Sequence, residues 1–293
     1  MSAVGDTAPR PEIDPRYVEA RRVLLDALEA LAPHGRAFVV AGAQAVYLRT
    51  GDADIAVAPY TTDGDLALDP ALLGDDPQLE AAMKSAGFDL SLVDGYVEPG
   101  VWVTKARNGG DEFLIPVDLI VPEGAARGGG RRGARLGIHG KRVARRAVGL
   151  EAALVDHSPM IVAALSPADS RSIEVEVAGS TALLIAKAHK LHDRIAASRT
   201  DRIDDKDAAD VVRLMQTTSA TDVGTIFIKL REDKIARRPS MNGLTYLNDL
   251  FGRRGRPGIA MASRALRIGV PEERVEAICT AYMARLLEVA PSE

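Results

Sequence analysis

Two aspartates separated by one glycine, Asp63 and Asp65, stand directly before the apolar letters "LAL" in "YTTDGDLALDP". If this segment begins a β-strand, both carboxylates lie on one face of it, because alternate side chains of a strand point the same way. Two carboxylates that close repel each other unless a cation lies between them, and a divalent ion with oxygen ligands, typically Mg²⁺, removes the repulsion. Taken alone, however, Asp-Gly is a common turn dipeptide and favours a solvated turn.

A third aspartate, Asp118, lies within the apolar run "EFLIPVDLIVP". Burying a carboxylate in such surroundings costs free energy unless the group is paired, hydrogen-bonded or bound to a metal ion. The alternative is a charge on an edge strand, and Pro116 favours an edge because proline cannot donate to a sheet ladder. Asp118 is therefore a third candidate metal ligand, and an exposed position on an edge strand is the alternative.

Gly42 stands between the short apolar segment "RAFVVA" and the brief helical segment "AQAVYLRTG". A junction of strand and helix offers free backbone N–H groups and the positive end of a helix dipole, which suit a phosphate group. A single glycine is weak support, since many such turns need one for conformational reasons alone.

Apolar periodicity predicts the elements that would position these groups, in an α+β fold. Residues 1–13 are predicted to be a disordered lead-in, residues 14–178 an α/β domain with a mixed sheet and flanking helices, and residues 179–293 an all-helical domain. Strands are predicted at 36–42, 63–68, 89–93, 100–106, 112–122, 160–165 and 172–179. Helices are predicted at 14–31, 43–50, 75–86, 180–198, 204–217, 220–232, 240–251, 257–268 and 272–288.

Composition limits the classes of protein that fit. The chain has 293 residues, one cysteine (Cys279) and 4% aromatic residues, so a cysteine zinc cage is excluded and a cytoplasmic location is expected. No signal-peptide pattern and no membrane-spanning stretch is present in the sequence. The net charge is −4, yet Arg127 to Arg146 carry eight basic residues and no acid. That run fits either a solvated loop or a grip on a polyanion.

The segments "VAGA", "TTDGDLAL" and "PVDLIV" follow in the order of a glycine turn, an Asp-x-Asp pair and a third carboxylate. This order resembles the nucleotidyltransferase superfamily with a polymerase-beta-like core. Farther along, "ALLIAKAHKLHDR" and "DDKDAADVVRL" look like the Lys and Lys-Asp segments of AbiEii-type nucleotidyltransferases. That group includes the bacterial MenT toxins, which transfer nucleotides to tRNA. The resemblance covers residues 36–215.

The resemblance implies a Mg²⁺-dependent transfer of NMP from an NTP to an acceptor, with a tRNA or other RNA end as the favoured acceptor. It implies metal binding by Asp63, Asp65 and Asp118, with two Mg²⁺ ions during catalysis and Asp118 also helping to deprotonate the acceptor. Such an enzyme would act as the toxin of a toxin–antitoxin pair, with an antitoxin protein as a partner and no membrane involved. The basic run up to Arg146 would then contact RNA.

The resemblance also implies residues for the nucleotide. The backbone at Gly42 and Ala43 would hold the triphosphate, with Gln44 and Thr62 as side-chain contacts. Lys187 matches the nucleotide-binding lysine of the family, and Lys190 and Arg194 continue a basic stripe at helical spacing. Asp207 matches a family carboxylate and, with Asp210 one turn on, would orient Lys187 or Arg194 through a salt bridge. For these two acids the alternative is an acidic helix start that stabilises the dipole.

Departures from the family pattern keep other interpretations open. Ala43 replaces the usual second Gly or Ser, and the interval from Gly42 to Asp63 is longer than usual and holds a second Asp-x-Asp at 52–54. The alternatives are a catalytically silent protein of the same fold, which binds or regulates, and a transferase acting on a small molecule or a protein hydroxyl. His189 and His192 are expected to be surface residues rather than zinc ligands.

Overall fold

The computed structural model describes residues 13–51, 61–108, 111–127, 132–197 and 205–291. Within these ranges the chain forms nine α-helices and one mixed sheet of eight strands, so the predicted α+β class is confirmed. The strands are β1 (Phe38–Ala41), β2 (Gly64–Leu68), β3 (Asp89–Val93), β4 (Tyr96–Asn108), β5 (Asp111–Pro122), β6 (Arg145–Ala147), β7 (His157–Ala163) and β8 (Ser172–Ala178). The helices are α1 (Pro15–Leu31), α2 (Gly42–Thr50), α3 (Leu79–Ser85), α4 (Ser180–Ala196), α5 (Asp205–Thr217), α6 (Ala220–Leu230), α7 (Arg237–Phe251), α8 (Pro257–Leu266) and α9 (Glu272–Val289).

The sheet runs in the order β3-β4-β5-β2-β1-β8-β7, and the short β6 pairs with the end of β5. Strand β5 is parallel to both β2 and β6, and β1 is parallel to β8, whereas the remaining pairs are antiparallel. Parallel pairing brings the carboxyl ends of β2 and β5 to the same side of the sheet. This pairing decides where the aspartates of the two strands meet.

Helix α1 covers one face of the sheet and starts as the sequence predicts. Asp14 caps it by accepting a hydrogen bond from the backbone N–H of Arg16 at 2.7 Å, and Pro15 occupies the first helical position, where its missing N–H is not needed. Leu24 of this helix is fully buried and packs against Gly64 at the start of β2. Gly64 thus faces α1, so the space left by its missing side chain is used for packing between helix and sheet.

Around β5 the structure excludes one alternative left open by the sequence and adds one strand. Strand β5 is an interior strand, so the edge-strand interpretation of Asp118 fails. Pairing of β5 with β2 begins at Val117, one residue after Pro116. At Pro116 itself β5 is therefore paired on one side only, with β4, and the missing N–H of the proline is tolerated. Strand β6, inside the basic run, is absent from the sequence-based prediction.

Residues 1–12 and the alternative "DAD" pair at 52–54 lie outside the described residues.

Helix α4 follows the last strand and joins the sheet to the helices that come after it. Its apolar stripe, which includes Leu184, Ala188 and Leu191, is fully buried. It packs against α2, α5 and α7. Among the described residues, no helix is both long and apolar enough to cross a bilayer. One side of α4 is left to face the site described next.

Candidate active site

Asp65 and Asp118 stand side by side on neighbouring strands. The register of the parallel pair β2–β5 sets Asp65 opposite Asp118, and the antiparallel pair β1–β2 sets Ala41 opposite Asp65. Residues in register point to the same face, and neighbouring strands are about 4.8 Å apart. The backbone pairing therefore forces the two carboxylates together on the face opposite to α1.

Gly42 makes room for one of these carboxylates. Its φ of +63° lies in the left-handed region, and a Cβ atom built on it would lie 1.9 Å from Oδ2 of Asp65. Glycine is thus required here twice, by the backbone conformation and by the Asp65 side chain. Because α2 begins at Gly42, the start of this helix also lies directly beside the carboxylate pair.

Burial and mutual repulsion alter the protonation of the pair. Burial raises the pKa of Asp65 to about 6, and the nearby charges of Asp63 and Asp118 add to the rise. Burial also raises the pKa of Asp118, although Arg145 opposes the rise. Asp65 keeps part of its surface open to a cavity while protein surrounds it on its other sides. Such a carboxylate favours either a proton or a cation.

Arg145 of β6 supplies a positive charge to Asp118. Its Nε and Nη2 donate to the same oxygen, Oδ2 of Asp118, at 3.0 and 2.6 Å. Arg145 pairs in register with Ile120, two residues beyond Asp118, so both side chains lie on one face of the sheet. The sequence pattern assigns Arg145 only to a general basic run and does not predict this contact. No local pattern in the sequence distinguishes Arg145 from the arginine beside it.

A cavity of about 650 Å³ opens over the two aspartates. One wall is α4, and the rest is formed by the ends of β4, β5 and β6 and the turn at Gly42. Basic side chains line both sides: Lys187, Lys190 and Arg194 from α4, and Arg132, Arg145 and Arg146 from the segment around β6. Glu98 also lines it and was not predicted. The cavity thus combines carboxylates that suit a cation with a larger number of cations that suit a polyanion.

The predicted lysine and its acidic partners form a buried charge cluster. Nζ of Lys187 donates to Oδ1 of Asp207 and to Oδ2 of Asp210, both at 2.6 Å, and all three residues are buried. Burial alone would lower the pKa of Lys187, but the two carboxylates outweigh it and raise that pKa well above its usual value. The salt-bridge arrangement expected for these acids is therefore present, and Asp210 is a full member of it.

Lys190 and Arg194 complete this cluster at the mouth of the cavity. Lys190 lies 3.1 Å from Oδ2 of Asp207, and Nη1 of Arg194 donates to the same oxygen at 2.7 Å. Burial would raise the pKa of Asp207, but Lys187 and Lys190 hold it well below the ordinary range of an aspartate. Lys190 is 43% exposed, whereas Lys187 is 5% exposed. Within this cluster, Lys190 and Arg194, which is 27% exposed, are therefore better placed than Lys187 to touch a ligand.

Other predicted nucleotide contacts are placed differently. Gln44 is buried, and its side-chain amide is used within the protein: Oε1 accepts from Arg21, and Nε2 donates to the carbonyls of Ala20 and Asp63. Gln44 thus supports the backbone before β2 instead of facing the cavity. The residues predicted to hold the nucleotide divide accordingly: Gly42, Lys187, Lys190 and Arg194 line the cavity, whereas Ala43, Gln44 and Thr62 are not part of its lining.

Asp63 is near the other two aspartates but does not line the cavity. Its carboxylate accepts a hydrogen bond from the hydroxyl of Thr61, a fully buried residue. Within the described ranges, no three His, Cys, Asp or Glu side chains are grouped to hold a metal ion by themselves. Binding of a metal ion by all three aspartates therefore stays a prediction. Magnesium usually needs only one or two carboxylates, with waters and substrate phosphates completing its shell, and Asp65 and Asp118 fit that requirement.

One of the two histidines of α4 differs from expectation, whereas the other, His192, keeps 40% of its side chain exposed. His189 is buried, with Nε2 at 2.8 Å from the carbonyl oxygen of Pro239, so the surface position predicted for it is wrong. His192 stacks on the ring of Tyr246 with 3.7 Å between ring centroids. Both imidazoles therefore serve the packing of α4 on α7.

Comparison with known proteins finds no family model and no curated protein that matches this chain.

We expect Lys187→Met to lower the free energy of unfolding by about 3–5 kcal/mol, because it leaves Asp207 and Asp210 buried without their main counter-ion. The matched control is Lys190→Met, which removes a more exposed lysine from the same helix and should cost less than about 1 kcal/mol. Urea unfolding followed by circular dichroism measures both. Equal losses in the two variants would show that Lys187 is not the centre of the cluster.

We expect Gly42→Ala to destabilise the protein by more than the conformational cost alone, because the new methyl group must also push Asp65 aside. Gly35→Ala is the control: Gly35 has a similar φ of +56°, and no atom of the described residues lies within 4 Å of the place that its new methyl group would take. The control should lose about 1–3 kcal/mol. A loss at Gly42 no greater than this would contradict the close approach of Asp65.

Asp65→Asn should stabilise the protein at pH 8 and not at pH 4. The pKa of Asp65 is raised by folding from 3.8 to about 6, so its ionised form works against the fold above pH 6, and this penalty disappears as the pH falls towards 3.8. One pKa unit corresponds to about 1.4 kcal/mol, which predicts a gain of about 1–3 kcal/mol at pH 8. Chemical denaturation at both pH values measures it, with Asp69→Asn at the other end of β2 as the control for net charge. A gain that is independent of pH would refute the raised pKa.

Proposed function

We propose that this protein is a Mg²⁺-dependent nucleotidyltransferase that moves NMP from an NTP to an acceptor hydroxyl and releases pyrophosphate. The observation that carries the proposal is the pairing of Asp65 with Asp118 beside Gly42, at the base of a cavity lined with cations. A simple anion would be repelled by the two carboxylates, and a simple metal ion by the surrounding cations. A metal–polyphosphate complex satisfies both sets of charges.

Magnesium, when bound, supplies charge neutralisation for the triphosphate and for the attacking and leaving oxygens. Asp65 and Asp118 would hold it, and Asp63 would join them through Oδ2, since Thr61 donates to Oδ1. The acceptor oxygen forms a bond to the α-phosphorus as the bond from that phosphorus to the bridging oxygen of pyrophosphate breaks. Asp118 takes the proton of the acceptor hydroxyl.

The basic side chains would stabilise the anionic parts of the reaction. Lys190 and Arg194 are partly exposed on the α4 wall, where Asp207 fixes their position, so little reorganisation is needed when charge develops on the pyrophosphate. Lys187 acts mainly by holding Asp207 and Asp210 in place, since both of these carboxylates bind its ammonium group. An RNA end as the acceptor agrees with the additional arginines around β6, and the toxin role and the antitoxin partner rest on the sequence resemblance.

A catalytically silent protein of the same fold is the second candidate. Two observations favour it: the methyl group of Ala43 cannot donate a hydrogen bond, and Asp118 is already paired with Arg145. Such a protein would bind Mg²⁺–NTP through the same residues and transfer nothing. Binding and transfer therefore have to be measured separately.

The test is to incubate the protein with each α-³²P-labelled NTP, Mg²⁺ and total tRNA, and to look for label in RNA and in protein. We expect label in RNA that disappears with EDTA. Asp65→Ala should reduce transfer at least about a hundredfold, because it removes a metal ligand worth several kcal/mol in the transition state. Asp69→Ala, a change of the same kind at the far end of β2, should transfer normally.

Three other outcomes discriminate between the hypotheses. Label in protein alone would move the acceptor from RNA to a protein hydroxyl. Mg²⁺-dependent binding of NTP without any transfer would favour the silent protein. No binding of NTP by the native protein, or full transfer by Asp65→Ala, would refute the proposed function.

A further inference from the structure

Arg145 is the cavity cation whose partner is a carboxylate that the proposed metal ion needs. Lys187, Lys190 and Arg194 are all bound to Asp207, and no hydrogen bond or ion pair of the described residues joins them to Asp65 or Asp118. Arg145 instead donates twice to Oδ2 of Asp118. The charges of Lys190 and Arg145 also act on Asp65 and lower its pKa, against the larger effects of burial and of the neighbouring aspartates. Arg145 therefore sits where a divalent cation would act.

The position of Arg145 is built into the fold by a close approach of two strands. Gly100 of β4 has a φ of +77°, and a Cβ atom on it would lie 2.2 Å from the backbone nitrogen of Arg145. The N–H of Gly100 donates to the carbonyl of Arg142 at 2.8 Å, and the indole N–H of Trp102 donates to the carbonyl of Val143 at 2.9 Å. These bonds hold the segment before β6, and pairing with β5 holds β6 itself, so the backbone of Arg145 is fixed and its side chain is left to move.

Arginine can exchange a carboxylate for a phosphate at little cost. Its guanidinium donates through a planar fork that fits both groups. The Arg145 side chain is 32% exposed to the cavity and that of Asp118 is 20% exposed, so a ligand can reach the pair. If Arg145 left without a replacement cation, however, Asp118 and Asp65 would be two neighbouring, half-buried carboxylates. Lys190 and more distant groups would be the cations left to offset their negative charges. The departure of Arg145 is therefore favourable only when a cation takes its place beside Asp118. In the same way, a cation can bind Asp118 fully only when Arg145 leaves.

We propose that Arg145 is a phosphate-binding residue that changes partners: it binds Asp118 in the free protein and a substrate phosphate when Mg²⁺–NTP enters. The metal ion and the nucleotide then bind cooperatively, because the nucleotide draws Arg145 away from the carboxylate that the metal ion requires. This inference rests on the proposed function and adds to it a residue and an order of events that the resemblance does not contain.

The experiment measures metal and nucleotide binding separately, without catalysis. Mn²⁺ replaces Mg²⁺ so that electron paramagnetic resonance reports the free ion, and an α,β-methylene NTP analogue prevents transfer. We expect Arg145→Gln to bind Mn²⁺ alone about fivefold or more tightly than the native protein, and to bind the analogue more weakly in the presence of Mn²⁺. Opposite changes in the two affinities are the signature of a shared residue, since loss of folding would weaken both.

Two control variants separate the exchange from a general effect of charge. Arg146→Gln removes the same charge from the same strand, but Arg146 binds Glu123 and not Asp118, so its effect on Mn²⁺ affinity should be smaller. In an Asp118→Asn background the Arg145→Gln change should no longer tighten Mn²⁺ binding, because the competing partner is absent. Arg145→Lys keeps the charge without the fork and should retain most of the competition with Mn²⁺.

The results that overturn the inference differ from those that overturn the function. If Arg145→Gln leaves Mn²⁺ affinity unchanged or lowers it, or if Arg146→Gln tightens Mn²⁺ binding equally, Arg145 does not exchange partners, while a native protein that binds Mn²⁺ and the analogue keeps the proposed function intact. If the native protein binds neither Mn²⁺ nor the analogue, both proposals fail.

Discussion

The repulsion between Asp65 and Asp118 is the constraint around which the site is arranged. Strand register places the two carboxylates side by side, and a change of side-chain rotamer can separate them only slightly because their backbones are paired. Neighbouring residues reduce this repulsion. Gly42 has no side chain and so leaves room for the carboxylate of Asp65, and Arg145 places a positive charge beside Asp118. The stability of the sheet, which comes from burial of its opposite face against α1, is what holds the unfavourable pair in place.

The cations of the cavity belong to two groups with different physical characters. Lys187, Lys190 and Arg194 share Asp207, and the resulting cluster is partly buried, so that its geometry is fixed before any ligand arrives. Arg145 is bound to Asp118, a carboxylate of the site itself, and can be released when another cation binds that carboxylate. A fixed group gives a ligand its position, and an exchangeable one makes two ligands depend on each other. The cavity holds both kinds of cation within about 650 Å³.

Much of the fold could be predicted from sequence because its signals are local. The caps and apolar stripes of the long helices, and the alternation in β5, depend on neighbours a few residues away, and these predictions agree with the structure to within a few residues at most helix ends. The association of Gly42, Asp65 and Asp118 was predicted from the order of the motifs, and strand pairing brings these residues together.

Features that depend on distant contacts could not be predicted in this way. Gln44 lies two residues after Gly42, where a contact with a ligand is expected. Its side chain is buried instead, because Oε1 accepts a hydrogen bond from Arg21 of α1. His189 is buried because its ring meets a backbone carbonyl of α7, fifty residues later in the chain. The three-residue strand β6 has too little periodicity to be recognised, and its place depends on the backbone of Gly100.

Helix α4 has a consequence for how the chain can be divided. By composition, the change from strands to helices falls between Ala178 and Ser180, and a fragment ending there would contain both aspartates. That fragment would nevertheless lose one complete wall of the cavity and expose the apolar surface of α2 that α4 covers. The two halves are therefore separate in their secondary structure but not as working units, and the boundary visible in the sequence is a poor place for a truncation.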